Sequence, residues 1–410
     1  YAWRGANFQN ILKFPERHPS AQIYKIETNY RSTPEILQLA NAAIAANVGQ
    51  FTKELAPARK SGAKPVLVTC LTASEQAAFV AQRILELREE GVNMNEMAVL
   101  YRSHFHALEL QLELTRRNIP FNITSGIRFF EQAHIKDATA YLKFVTNPRD
   151  EIAFKRMVQL LPGIGGKGAD KLWLNFNAAF SASAAKPGTE AKEPASRSPL
   201  AAALQACANS VPKKAAVAWA QLVATISQLE TAPVRGDSGK MLRLVVEAGY
   251  EDYLQENYAN YRNRLDDIEQ LAIFAQQFPT AEDFLTQLAL LTNLEGESDQ
   301  PASNDTEQVR LSSIHQAKGL EFDVVFLIML CDGLFPASRS LDTPEGEEEE
   351  RRLLYVAITR ARNEIYLSYP LMRMLPGGSG DAMQQPSRFL NEIPRELVEE
   401  WNLKPVHPYG

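Results

Sequence analysis

The sequence predicts an α/β protein, a parallel sheet covered by helices and interrupted by a mainly α-helical insertion. Three observations carry that prediction. Strand-like and helix-like runs alternate over roughly the first hundred residues. From about Pro120 to residue 293 the pattern is mostly helical with almost no convincing strand, and strand-like runs return after residue 307. Such alternation favours parallel pairing, because each crossover between parallel strands needs about a helix's length of chain.

The elements follow in chain order. "IYKIE" (Ile23–Glu27) reads as a short strand. "STPEILQLANAAI" reads as a helix, with Ser32 or Thr33 as N-cap, Pro34 in the first turn and Glu35 placed for a capping box. "PVLVTCL" is rich in β-formers. "TASEQAAFVAQRILEL" follows, opened by Thr72-x-x-Glu75 and carrying Val80, Ile84 and Leu87 at helical spacing. "MAVLYR" is another strand. The helical region holds a small-residue, Pro-rich stretch, "SASAAKPGTEAKEPASRSP", read as a loop, and ends at the polar "EGESDQPASNDTE". "VRLSSI", "FDVVFLIML" and "EIYLSY" then supply the remaining strands. No tandem repeat is present.

Bulk composition sets limits. The chain has 410 residues, 45% hydrophobic and 22% charged, ordinary values for a folded protein with an ample core. The longest apolar run, Val324 to Cys331, is far too short to span a bilayer, so no membrane partner is expected. Cys70, Cys207 and Cys331 lie far apart without CxxC spacing, and neither a disulfide framework nor a metal site is expected. The net charge of −6 argues against an overall basic protein but leaves local phosphate-binding patches open.

Four stretches carry chemistry. In "ETNYRS" (Glu27–Ser32), at the carboxyl end of a predicted strand, Tyr30 offers a flat face for a purine and Arg31 a planar fork for phosphate. A Tyr packed on the sheet and an Arg in a surface ion pair is the plainer alternative. In "SSIHQAKGLEFDVVF", Ser313, His315 and Lys318 could meet phosphates and Glu321 a ribose hydroxyl, whereas a lone His is more often a satisfied polar residue. In "EEEERRLLYVAITRAR", Glu347/Arg351 and Glu348/Arg352 form i,i+4 pairs on a solvated face. Arg360 falls inside the apolar arc, with Arg351 and Arg362 pointing away. An inward guanidinium needs an anion, either a nucleotide phosphate or a structural carboxylate. In "LPGIGGKGADKL", a literal GxGxxG runs from Gly163 to Gly168. It follows a helical pattern rather than a strand, which argues against dinucleotide binding. A turn between helices, baring backbone N–H groups to a DNA phosphate, fits better. Lys155, Arg156, Lys167 and Lys171 make its neighbourhood basic. No GxxxxGK[ST] occurs anywhere in the chain.

In this order the segments resemble superfamily 1 DNA helicases of the UvrD/Rep/PcrA group. "YAWRGA" resembles the end of motif III, "ETNYRS" motif IV, "VLYR" motif IVa, "SSIHQAKGLEF" motif V and "EEERRLLYVAITRAR" motif VI. "LPGIGGKGADKL" is similar to the helix-hairpin-helix element of the family's 2B subdomain. The resemblance implies a RecA-like domain, 2A, split by the helical 2B insertion. Its divisions are 1–26 (tail of domain 1A and linker), 27–118 (2A, first part), 119–307 (2B) and 308–410 (2A, second part). It also implies a chain that starts inside motif III, with most of domain 1A, its P-loop and its magnesium-binding motif lying outside.

By the same resemblance, Tyr30 stacks on adenine, Arg31 and Arg360 reach the γ-phosphate as catalytic arginines, and Glu321 touches the ribose. Trp3 stacks on a base of the single strand, and Arg4 couples nucleotide state to that grip. Ser313, His315 and Lys318 line the DNA path. Gly163, Gly165, Lys167 and Lys171 hold duplex or junction DNA. The implied activity is ATP-dependent 3′-to-5′ unwinding in repair or replication restart, in the bacterial cytoplasm at the nucleoid. ATP and Mg2+ serve the intact protein, and domain 1A and repair or replication proteins are partners. The polypeptide by itself is expected to be inactive. Rival readings are a non-catalytic DNA- or protein-binding module, a helicase–nuclease subunit, and a Rossmann dehydrogenase.

Overall fold

A computed structural model describes residues 10, 13–49, 54–124, 129–184, 198–297, 307–374 and 381–403. The described residues fall into two compact units. The first is drawn from 1–125, 303–373 and 382–410, the second from 126–302 and 374–381.

The first unit is built on a seven-stranded sheet of order β11-β3-β8-β7-β4-β6-β5. Its members are Val66–Cys70 (β3), Met97–Tyr101 (β4), Phe121–Thr124 (β5), Val309–Ser313 (β6), Phe322–Leu327 (β7), Ala361–Pro370 (β8) and Glu399–Asn402 (β11). Every pairing in it is parallel. Two small pairs stand outside it, Thr28–Asn29 (β1) with Ala56–Pro57 (β2), and Met372–Met374 (β9) with Asp381–Met383 (β10).

Helices cover both faces of the sheet, so the central strands are buried throughout. All five residues of β4 are buried, and their side chains alternate between two cores. Met97, Val99 and Tyr101 join Val80, Ile84 and Leu87 of helix Ala73–Glu89 on one face. Ala98 and Leu100 join Ile36 and Leu39 of helix Pro34–Ile44 and Leu353 and Leu354 of helix Pro344–Ile358 on the other. A period of two, apolar at every position, is the pattern a strand shows when neither face meets water.

Several local expectations need correction. Ile23–Glu27 is not a strand; Tyr24 and Ile26 are exposed, and among the described residues the segment's backbone is tied only at its end, where Glu27 O accepts from Ala56 N–H at 2.9 Å. Phe121–Thr124, read as the start of the helical region, is β5 and pairs with β6, its strand character resting on a neighbour almost two hundred residues away. Thr33 is the N-cap of its helix, but no capping box forms. The Glu35 carboxylate instead accepts from the Ser61 hydroxyl and, at 2.9 Å, from the Gly62 N–H. At Thr72 the hydroxyl does accept from Glu75 N–H at 3.1 Å, while the Glu75 carboxylate takes the N–H of Leu71.

The second unit is helical. Helices Glu151–Gln159 and Gly166–Ala184 form a hairpin around a cluster of aromatic rings. Phe154 lies 5.2 Å from both Trp173 and Phe176, and Phe144 of helix Ala133–Thr146 lies 5.1 Å from Phe176, centroid to centroid. Asp150 caps the first hairpin helix through Ala153 N–H at 2.9 Å.

Candidate nucleotide site and nucleic-acid surfaces

The first site grows from a short turn. Asn29 Oδ1 accepts from the N–H groups of Arg31 and Ser32 at 2.8 and 2.9 Å, closing an Asx-type turn that leaves Tyr30 78% exposed. Ser32 Oγ donates to Ala361 O at 2.6 Å and Thr33 N–H to Arg362 O at 3.1 Å, lashing the turn to the start of β8. Arg59 tightens it further, donating to the carbonyls of Arg31 (2.6 Å) and Arg362 (3.0 Å) and to Asn363 Oδ1 (2.8 Å).

Three of the sequence-predicted nucleotide residues meet here. The Arg31 guanidinium pairs with the Glu321 carboxylate and donates to Thr359 O at 3.2 Å. Arg360 donates to Leu320 O at 3.0 Å, Val356 O at 3.1 Å and Thr359 Oγ1 at 3.2 Å, all neutral oxygens. Arg362 reaches Asp323 at 2.8 Å, Glu321 at 3.6 Å, and Glu96. Hydrogen bonding from Arg31, with further attraction from Arg31, Arg362 and Arg360, holds the Glu321 carboxyl below the usual carboxylate range against a smaller opposing effect of burial. Tyr30 stands beside Arg31 in sequence, its ring in solvent.

The location departs from the sequence reading. Glu321 and Arg360 directly precede β7 and β8, and Glu96 precedes β4, so the cluster lies along the amino-terminal edge of the parallel sheet. The strand carrying the turn, β1, is not in that sheet at all. Arg351 does not point away. It is 5% exposed, bound to Glu392 at 2.8 Å, Asn47 at 2.7 Å and Glu347 at 2.9 Å, with its guanidinium 4.9 Å from the Phe389 ring. The acidic start of its helix is likewise not a plain solvated face, since Glu350 is 2% exposed.

Ser313, His315 and Lys318 sit at the opposite, carboxyl-terminal edge. Ser313 ends β6 and is buried. Its carbonyl accepts from Gln316 and Ala317 N–H at 3.0 Å, shaping a tight turn that presents exposed Lys318 beside Gly319, whose φ of +92° suits glycine. His315 is half-buried, and its pKa is pushed down to about 4 by burial and by the Arg102 charge. Arg102, just past β4, forms an ion pair with Glu350 at 2.8 Å. Glu350 also accepts from Ala337 N–H at 3.2 Å and Ser340 Oγ at 3.1 Å. Trp3 and Arg4 lie outside the described residues.

In the helical unit, Gly163 turns the hairpin at φ +80°. Side chains added at Gly165 or Gly166 would meet open space, and Lys167 and Lys171 are exposed on the second helix. Lys155 and Arg156 do not serve this surface as expected. Lys155 pairs with Glu151 and Asp170 at 2.5 Å, and Arg156 with buried Asp137 at 2.7 Å. Lys214 takes their place: its Cε lies 1.6 Å from where a Gly163 Cβ would stand. No sequence signal joined Lys214 to a turn some fifty residues earlier. Arg59 gave none either, since it sits in a polar loop, and Arg362 was hidden by reading its segment as helix. Among the described residues no group of three or more His, Cys, Asp or Glu side chains could hold a metal ion, and no helix is long and apolar enough to cross a membrane.

Comparison with known proteins agrees with the motif order. The profile of the UvrD-like helicase C-terminal domain matches residues 24–182 and 214–371. DNA helicase II of Escherichia coli is 33% identical over 420 residues, covering 98% of this chain and 55% of the relative. DNA helicase II of Haemophilus influenzae is 33% identical over 411 residues, with 98% and 54% covered. The ATP-dependent DNA helicase PcrA of Bacillus subtilis is 32% identical over 418 residues, again with 98% and 54% covered. The chain thus spans about half the length of the curated relatives it matches. It belongs to the UvrD-like helicase C-terminal domain family.

Proposed function

We propose that this chain supplies one wall of the ATP site, and DNA-binding surfaces, of an ATP-dependent DNA helicase. The observation that carries the reading is the convergence of Arg31, Glu321 and Arg360 on one sheet edge beside an exposed Tyr30. Tyr30 stacks on the adenine and Glu321 hydrogen-bonds the ribose. Arg31 and Arg360 act as arginine fingers on the γ-phosphate, whose anionic oxygens accept stronger, charge-assisted hydrogen bonds than neutral carbonyl or hydroxyl oxygens do. No P-loop sequence occurs in the 410 residues, and the family the chain resembles carries its magnesium-binding motif in the same domain as the P-loop. The phosphate cradle and metal ligands therefore come from another domain, as domain 1A does in the family the chain resembles, and the 410 residues alone do not turn over ATP.

On the DNA side, Ser313, His315 and Lys318 follow a single strand, joined by Trp3 and Arg4. Gly163, Gly165, Lys167 and Lys171, with Lys214, hold a duplex backbone without reading its sequence. Travel runs 3′ to 5′, serving repair or replication restart.

The test is ATP turnover by the chain alone and mixed with a separately made P-loop domain of the family. Turnover should appear only in the mixture, and rapid hydrolysis by the chain alone, abolished by Arg360→Ala, would overturn the division of labour. For the duplex surface, replacing Lys167 and Lys171 with Ala should lower the salt slope of duplex binding by about 1.8, two phosphate contacts' worth. An unchanged slope removes the hairpin from the binding surface.

A further inference from the structure

The helical unit contains a cavity that neither nucleotide nor DNA chemistry uses. Its volume is about 270 Å³, close to the lower end for small-molecule sites. Leu160, Leu222, Val245 and the rings of Tyr141, Tyr250 and Tyr253 line it. Gly249, at φ +122° in the kink between helix Ser238–Val245 and helix Glu251–Asn257, also lines it, in a backbone conformation that favours glycine.

Polar groups converge on this apolar chamber. Tyr141 is nine-tenths buried, yet its hydroxyl makes no hydrogen bond with any described residue. This oxygen is not among the fully enclosed unpaired atoms, so it meets the open space of the cavity, where it can accept from something that enters. Tyr250, by contrast, is already committed, donating to Asp137 at 2.7 Å. Asp252 and Glu256 also line the cavity. They are exposed, one helical turn apart on helix Glu251–Asn257, and neither has an ion-pair partner among the described residues. Two carboxylates at i,i+4 repel one another, and a cation between them would relieve that repulsion. The tyrosine faces favour the same charge.

We propose that this cavity binds an organic cation, a protonated amine or guanidinium on an apolar stem of side-chain size. Asp252 and Glu256 hold the charge, the stem packs among Tyr141, Leu222 and Tyr253, and the Tyr141 oxygen accepts one N–H. The cation can be a free amine or a Lys or Arg side chain of a bound peptide, and the chemistry is shared.

Calorimetric titration of the 410-residue chain tests this with three probes: 2-phenylethylamine, its neutral analogue 2-phenylethanol, and an acetylated Leu-Arg-Leu amide. The amine should bind at least about tenfold more tightly than the alcohol. Asp252→Asn with Glu256→Gln should erase that preference without lowering the melting temperature, and Tyr141→Phe should weaken the amine severalfold. Peptide binding about tenfold tighter than the amine assigns the site to a protein side chain, and the reverse order to a free amine. Equal affinity for amine and alcohol overturns the proposal. So does a preference that survives the double substitution, or no binding of amine and peptide up to about 10 mM.

Discussion

The two edges of the parallel sheet handle charge differently. Along the amino-terminal edge, Arg31, Arg59, Arg360 and Arg362 outnumber the carboxylates of Glu96, Glu321 and Asp323, and the Arg31–Glu321 pair keeps 30% and 42% of its side-chain surface in water. At the carboxyl-terminal edge, Arg102 meets a Glu350 side chain that is only 3% exposed and fixed by two further donors. The first arrangement can exchange partners at small cost, as a site that must take and release an anion requires. The second is locked, because breaking a buried pair strands a charge where water cannot reach it. Mobility and rigidity are thus separated by the length of a strand.

The strongest way to break this comparison is at Arg360. In the mixture of this chain with a P-loop domain, Arg360→Ala should lower ATP turnover by about a thousandfold or more, the range for arginine fingers. Thermal unfolding of the chain should change little, because the hydrogen bonds from Arg360 to Leu320 O, Val356 O and Thr359 Oγ1 are only part-buried. Turnover within a few-fold of the unsubstituted chain would remove the amino-terminal edge from the chemistry. The carboxyl edge should behave in the opposite way. Glu350→Ala should cost about 3 kcal/mol of stability in urea denaturation, the scale for stranding one member of a buried pair. A loss below about 1 kcal/mol would show that this edge is no more locked than the other.

Much of this division was legible in the sequence, and the unreadable part has physical causes. Tyr30, Arg31, Glu321 and Arg360 stand out because their residue types sit at predicted strand and helix ends, and three of them do meet. Which edge they meet on was not legible. Edge identity depends on strand pairing, and Ile23–Glu27, read as a strand leading into the turn, is not one, while β1 beside it pairs with Ala56–Pro57 outside the main sheet. Arg351 was misread because a helical projection shows where a side chain leaves its own helix and says nothing of Asn47 and Glu392 beyond it. Phe121–Thr124 escaped for the same reason: four residues become a strand only when Val309–Ser313 lies alongside.

A smaller effect sharpens the comparison through pH. His315 titrates near 4 in the folded chain, pushed down by burial and by Arg102 and partly opposed by Glu350 and Glu349. The unfolded chain takes up that proton near pH 6.5. Below about pH 6.5 the unfolded state therefore binds more protons, and stability falls as pH drops towards 4, levelling off for this group below that value. Urea midpoints measured at pH 7.5 and pH 5 should show the loss, and His315→Gln should shrink it. An equal loss in both proteins would place the imidazole in a looser environment than the carboxyl edge provides.

The smallest expected effect is the most discriminating. A double-mutant cycle on Arg31→Ala and Glu321→Ala, read by denaturation without nucleotide, should give a coupling of at most about 1 kcal/mol, because solvent screens a pair this exposed. The same cycle at Arg102 and Glu350 should give a larger value, since Glu350 has almost no water to fall back on. Equal couplings would mean that exposure does not set the strength of either pair. A strong Arg31–Glu321 coupling would carry a further consequence. An arginine held that firmly by its own carboxylate could not turn to an incoming phosphate, and the amino-terminal edge would be a structural clamp.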